Sequence, residues 1–194
     1  MANPRLEVGR WSLADLVPAS SGPAMEKVFA DLENAVSAVE AWRGRLDAAM
    51  PTKSFGALAR DLERAVYVQA TLRGYATLWF SEQNSDAGAL SLRQRVDACL
   101  ADAQNRVLFV ELWWKSLDAA NAQRLLPASG DTAYYFESLR RFAPYTLAEP
   151  VEQAINIKDV NGIRGITTVY DMITNGFSYE MTLDGEAKTM TRSE

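Results

Sequence analysis

Three stretches of this chain repeat apolar residues at every third or fourth position over lengths that only helices reach. Val28, Leu32, Ala35, Val39, Trp42 and Leu46 form one such face, which stops before Pro51. Ser20 or Ser21 can cap this helix, with Pro23 in a first turn where its missing N–H is harmless. A second helix opens at Ser54, keeps Leu58, Leu62, Ala65/Val66, Leu72, Tyr75 and Trp79 in phase, and ends in Asn84-Ser85-Asp86. Asp86 can cap a third, running through Leu90, Leu92, Val96, Cys99, Ala103, Val107, Val110 and Trp114. Short polar turns between helices this long predict an antiparallel bundle. Gly74 inside the second is expected to mark a close helix–helix approach. Ahead of the bundle, residues 1–23 carry Pro4, Gly9, Pro18, Gly22 and Pro23 and read as an arm anchored by Trp11, Leu13 and Leu16.

After Trp114 the periodic runs shorten. Residues 118–126 predict a brief helix ended by Pro127, and Ser129-Gly130-Asp131 precedes another with Tyr135, Leu139 and Phe142 along one face, stopped by Pro144. Glu149-Pro150 opens a helix through Val151, Ala154 and Ile155, which Asn161-Gly162 interrupts before the amphipathic run Ile163, Ile166, Val169, Tyr170, Ile173. The period then changes to two. Phe177, Tyr179, Met181 and Leu183 alternate with polar residues up to Asp184-Gly185, a hairpin signal with a return strand through Ala187, Thr189 and Thr191. The chain is therefore expected to be mainly α: an antiparallel bundle of three long helices followed by shorter helices and a C-terminal β-hairpin. It divides into residues 1–127, arm and long-helix bundle, and residues 128–194, short helices plus hairpin.

Thr191-Arg192-Ser193-Glu194 has the Thr-x-x-Glu form of a capping box with no helix behind it, and a two-stranded hairpin is marginal without a partner. Both features lead to the expectation that the chain is cut short of a further region.

Composition narrows the chemistry. The 194 residues contain no histidine, which removes the usual neutral zinc ligand and the commonest general base near neutral pH. A net charge of -5, with basic residues scattered among acidic ones, argues against nucleic acid as a partner. The single cysteine, Cys99, excludes an internal disulfide and a CxxC metal site; it reads as a buried, inert thiol in a reduced compartment, so a cytoplasmic location is expected. No segment has the length and apolarity of a signal sequence or a membrane span. Glu149 and Glu152 lie one turn apart, but acidic residues in a helix's first turn are explained by the macrodipole. Gly162-Ile163-Arg164-Gly165 matches a bare GxxG by chance, and there is no Walker loop, GxSxG or calcium loop. Trp113-Trp114 and Tyr134-Tyr135-Phe136 point adjacent aromatic rings in different directions, so each group is a candidate to turn one ring toward a groove.

Several strings together resemble a known family. They are Leu139-Arg140-Arg141-Phe142-Ala143-Pro144-Tyr145-Thr146-Leu147, Glu149-x-x-Glu152 with Asn156-Ile157-Lys158-Asp159-Val160-Asn161-Gly162, Thr168-Val169-Tyr170-Asp171-Met172-Ile173-Thr174-Asn175, and the Asp184-Gly185-Glu186 turn. With the opening Trp11-Ser12-Leu13-x-Asp15-Leu16, they resemble the N-terminal region of the oligoendopeptidase F family, helical zinc metallopeptidases related to thimet oligopeptidase. The resemblance implies an N-terminal helical region that forms one wall of a deep channel for short peptides, with zinc held downstream by an HExxH helix and a distant glutamate. No position here matches that motif, so no catalytic or metal residue carries over and the chain alone should be inactive. The family often has histidine where this chain has Tyr145. Channel-facing candidates are Trp114, Tyr134, Tyr135 and Tyr145. Expected partners are the catalytic remainder of such a peptidase and short peptides, with zinc in the complete enzyme only. An exposed apolar patch near residues 163–183 should make the fragment self-associate. The reading from a different class is a free-standing helical module that binds a partner helix or peptide in a bundle groove.

Overall fold

Helices α1 (Gly22–Glu40), α2 (Thr52–Glu82) and α3 (Ala87–Ser116) carry the three periodic runs. The computed structural model describes residues 12–83, 86–183 and 185–191; Trp11, Asn84, Ser85, Asp184 and the capping-box residues 192–194 lie outside them. Neighbouring long helices run antiparallel. Trp42, just past α1, donates its indole N–H to Asp61 near the start of α2 at 2.8 Å, and Phe80 at the end of α2 lies under the Arg93 guanidinium of α3. Asp86 caps α3 as expected, its carboxylate accepting from the N–H of Gly88 at 2.6 Å and of Ala89 at 3.0 Å. α1 and α3 lie side by side, tied by Arg95 to Glu26 and by Arg106 to Glu33 and Glu40.

The periodicity located the core well and some helix ends poorly. α1 stops at Glu40 rather than near Leu46, and a 3-10 turn over Arg43–Arg45 follows. Gly44 lowers helix propensity there, and the turn swings the Trp42 indole back to Asp61, so Trp42 remains buried outside the helix. Of the pair Ala65/Val66, Ala65 is the buried member and Val66 is exposed. In the arm, Leu13 packs against the core and Leu16 is exposed, while the neighbouring Val17 is fully buried. At Gly74 an added Cβ would meet Leu16 of the arm at 4.0 Å, not another helix; the close approach is at Gly56, where an added Cβ would sit 2.8 Å from the Ala128 carbonyl oxygen.

An aromatic knot closes the lower end of the bundle. Trp114 is wholly buried, stacked on Phe55 with centroids 5.0 Å apart and edge-on to Phe136 at 5.1 Å. Helices α4 (Ala119–Leu125) and α5 (Ala133–Arg141) return the chain to this knot. Two reciprocal bonds clasp α5 to the end of α3: Trp114 Nε1 donates to the Phe136 carbonyl at 2.7 Å, and Arg140 donates to the Trp114 carbonyl at 3.0 Å. That clasp selects Phe136 and Leu139 as the inward face of α5, in place of the expected Tyr135, Leu139 and Phe142, and Phe142 is 60% exposed. The core accordingly crosses residue 127 and extends as far as Phe136 and Leu139.

Beyond it lie α6 (Glu149–Asp159) and α7 (Gly165–Asn175), then the antiparallel strands β1 (Ser178–Leu183) and β2 (Glu186–Thr191). The chain does not break at Asn161-Gly162: Val160–Arg164 forms a π turn that carries α6 into α7. The hairpin has a two-residue loop with Gly185 at φ +84°, and its register sets Tyr179 opposite Met190 and Met181 opposite Lys188. None of the described side chains in α6, α7 or the strands is buried.

Two measurements test this account. Trp114→Ala should lower stability by about 3–5 kcal/mol in urea unfolding, as for other large aromatic truncations in a core. The hydrogen bonds from Arg106 hold the Glu33 and Glu40 carboxyls below their ordinary value of 4.5. Depressed carboxyls contribute stability above that value and lose it as pH falls through the lowered ones. The unfolding midpoints of Arg106→Gln and wild type should therefore differ near neutral pH and draw together as the pH falls below 4.5 and both carboxylates take up protons.

Candidate functional site

α6 and α7 lie antiparallel to α3 along a polar seam. At one end Arg43 donates to Glu149 at 3.1 and 3.2 Å. In the middle, the Asn105 and Gln153 side chains each donate to the other residue's carbonyl, at 3.4 and 3.5 Å, and Asn105 Oδ1 accepts from Asn156 at 2.8 Å. Toward the other end Arg164 faces Asp97, and Arg93 faces Asp171, both at 3.9 Å. Because amides and charges make this contact, the apolar side chains of α7 are not needed for it. Ile163, Ile166, Val169, Tyr170 and Ile173 are all more than half exposed, so the expected apolar patch is present and continues through Phe177 to Met181.

Between α3 and the π turn with α7 runs an open groove of about 730 Å³, walled by Leu90 and Ala98 on one side and by Val160, Ile166, Val169 and Met172 on the other. This volume is within the range of sites that hold small ligands or short peptides. Asp97 and Arg164 border the groove and also a polar cavity of about 220 Å³, which Arg73, Thr77, Arg93 and Thr167 complete. A smaller apolar recess of about 190 Å³ lies between α2 and α5, bounded by Leu62, Val66, Tyr135 and Phe136.

The four aromatic candidates do not meet in one place. Trp114 belongs to the core, for the reason given by its stacking and its bond to Phe136, and no face of it reaches a groove. Tyr134 is 70% exposed on α5 and Tyr145 is 79% exposed in the 3-10 turn Ala143–Tyr145; neither lines the large groove. Tyr135 lines the small recess. Although 41% of the residue is open to solvent, desolvation of the phenol, aided by the Glu111 charge, pushes its pKa up to about 12. Glu149 and Glu152 have structural partners: Glu149 holds Arg43, and Glu152 accepts from the Leu147 backbone N–H at 2.8 Å at the start of α6. Gly162 and Gly165 sit in and beside the π turn, not in a nucleic-acid loop.

Sequence reasoning missed the groove and its polar end. The run Ile163–Ile173 was a usable signal for an apolar face. Arg73, Arg93 and Arg164 share no helix period; the packing of α2 on α3 and the contact of the π turn with α3 bring them together.

Among the described residues, no group of three or more His, Cys, Asp or Glu side chains is placed to hold a metal ion. No described helix is long and apolar enough to cross a membrane. Compared with protein-family models, curated proteins and solved structures, the chain matches none.

Cys99 is half-buried on α3, and desolvation first, then the nearby Asp102 charge, pushes its thiol up. At pH 7.5 it should react with Ellman's reagent about tenfold or more slowly than a free thiol, and denaturant should abolish the difference.

Proposed function

We propose that this chain is the N-terminal, non-catalytic part of an oligoendopeptidase F-like zinc metalloendopeptidase of the cytoplasm, forming a wall of the channel that admits short peptides. One observation carries the proposal beyond the sequence resemblance. The region with the most specific likeness, residues 139–191, holds an extended surface of large apolar side chains from Tyr145 to Met181, attached to the bundle by a polar seam. Such a surface is what a region has when its apolar partner is another part of a larger assembly.

The groove between α3 and α7 favours a second reading, a free-standing module that binds a peptide or a partner helix. The two readings differ in what completes the apolar surface: a catalytic region in the first, a separate partner in the second.

Under the first reading the isolated chain associates through α7. Sedimentation velocity should give dimers or larger species, and Ile166→Lys with Val169→Glu should return it to monomer without loss of helicity. Fluorogenic short peptides should not be cleaved; robust cleavage abolished by a chelator would overturn the assignment. Reading the gene past the codon for Glu194 separates the two readings. An open frame carrying HExxH is expected under the first, and a stop followed by unrelated sequence favours the second.

A further inference from the structure

Three arginines from distant parts of the chain meet at the 220 Å³ cavity: Arg73 on α2, Arg93 on α3 and Arg164 in the π turn. Two other arginines of this protein fill their guanidinium forks. Arg95 holds Glu26 at 2.6 and 2.8 Å, and Arg106 holds Glu33 at 2.7 and 2.8 Å, both with two parallel bonds. The three at the cavity are different. Arg93 and Arg164 stand 3.9 Å from Asp171 and Asp97, too far for a hydrogen bond, and Arg73 has no carboxylate partner among the described residues. The cavity thus gathers three cations against one lining carboxylate, Asp97, with Asp171 loosely placed beside Arg93, in a chain whose overall charge is -5. Arg93 is also held in place, its guanidinium 4.6 Å over the Phe80 ring and its side chain only 17% exposed.

From this geometry we infer that the Arg73–Arg93–Arg164 cavity is a carboxylate-binding site that takes the C-terminal carboxylate of a short apolar peptide lying in the adjoining groove. It rests on the reading of short peptides as ligands of this chain, and it adds their direction and anchor. Planar guanidinium forks match a carboxylate with two parallel bonds, and capture of a chain terminus is a recurrent mode of peptide recognition. The apolar part of the ligand follows from the shared wall. Asp97 and Arg164 border both spaces, so a ligand anchored at the arginines continues directly over Ala98, Ile166, Val169 and Met172.

Arg73 is the informative residue to change, because Arg93 and Arg164 also face carboxylates across the α3–α7 seam and Arg73 does not. The probes are acetyl-Leu-Val-Leu-Phe as the free acid, the same peptide as the C-terminal amide, and inorganic phosphate, measured by titration calorimetry on the full chain. The free acid should bind about tenfold or more tightly than the amide, the gain expected of a charge-assisted pair. Arg73→Gln should shrink that ratio with circular dichroism unchanged, and Ala98→Trp should weaken both peptides by filling the groove. Equal binding of acid and amide, with both lost in Ala98→Trp, overturns the carboxylate site and leaves the peptide reading standing. Phosphate that binds as tightly as the free acid overturns the peptide assignment in favour of a free oxyanion. Failure of both peptides to bind overturns the site and the peptide reading together.

Discussion

α3 has to satisfy two unlike surfaces at once, and the rest of the molecule is arranged around that requirement. One side carries Val96, Leu100, Ala103, Val107, Val110 and Trp114 into the common core. Another presents Arg93, Asp97, Asn105 and Arg106 as partners for α1, α6 and α7. The first side supplies stability, since burial of apolar area is the dominant favourable contribution in a domain this size. The second supplies position. Exposed ion pairs and amide contacts contribute little net energy but fix orientation, and the seam sets α7 at a definite place without burying its apolar residues.

This division separates a scaffold from an appendage. From Leu13 to Leu139 the chain shares one cluster of packed side chains, closed by the Phe55–Trp114–Phe136 knot. From α6 onward no described side chain is buried. Segments with few buried apolar contacts open at lower free energy than the core they adjoin. The bundle is therefore the rigid half of any site formed with α7, and the position of α7 is the half that a ligand or partner can influence.

Burial was the part of the fold that the sequence made legible. Leu32, Val39, Leu58, Leu62, Leu72, Val96 and Val110 all fall inside because a helix face repeats what the core requires. The Asp86 cap and the hairpin at Gly185 were readable for the same reason, as local chemistry that needs no distant partner. Where a distant partner decides, the reading slipped by one residue or one turn. Val17 replaced Leu16, Phe136 replaced Tyr135, and α1 gave way to a turn so that Trp42 could reach Asp61. The candidate site was hardly legible at all. Its arginines lie on three elements brought together by the packing of α2 on α3 and the contact of the π turn with α3, and a meeting of that kind leaves no periodicity to read.

The hairpin has a further consequence. A sheet of two strands has no interior: each strand pairs on one flank and, among the described residues, leaves a full row of N–H and C=O groups on the other. With Tyr179 and Met181 about half exposed, this ribbon is a template for strand addition, able to accept any extended segment of compatible length, including the same ribbon from a neighbouring molecule.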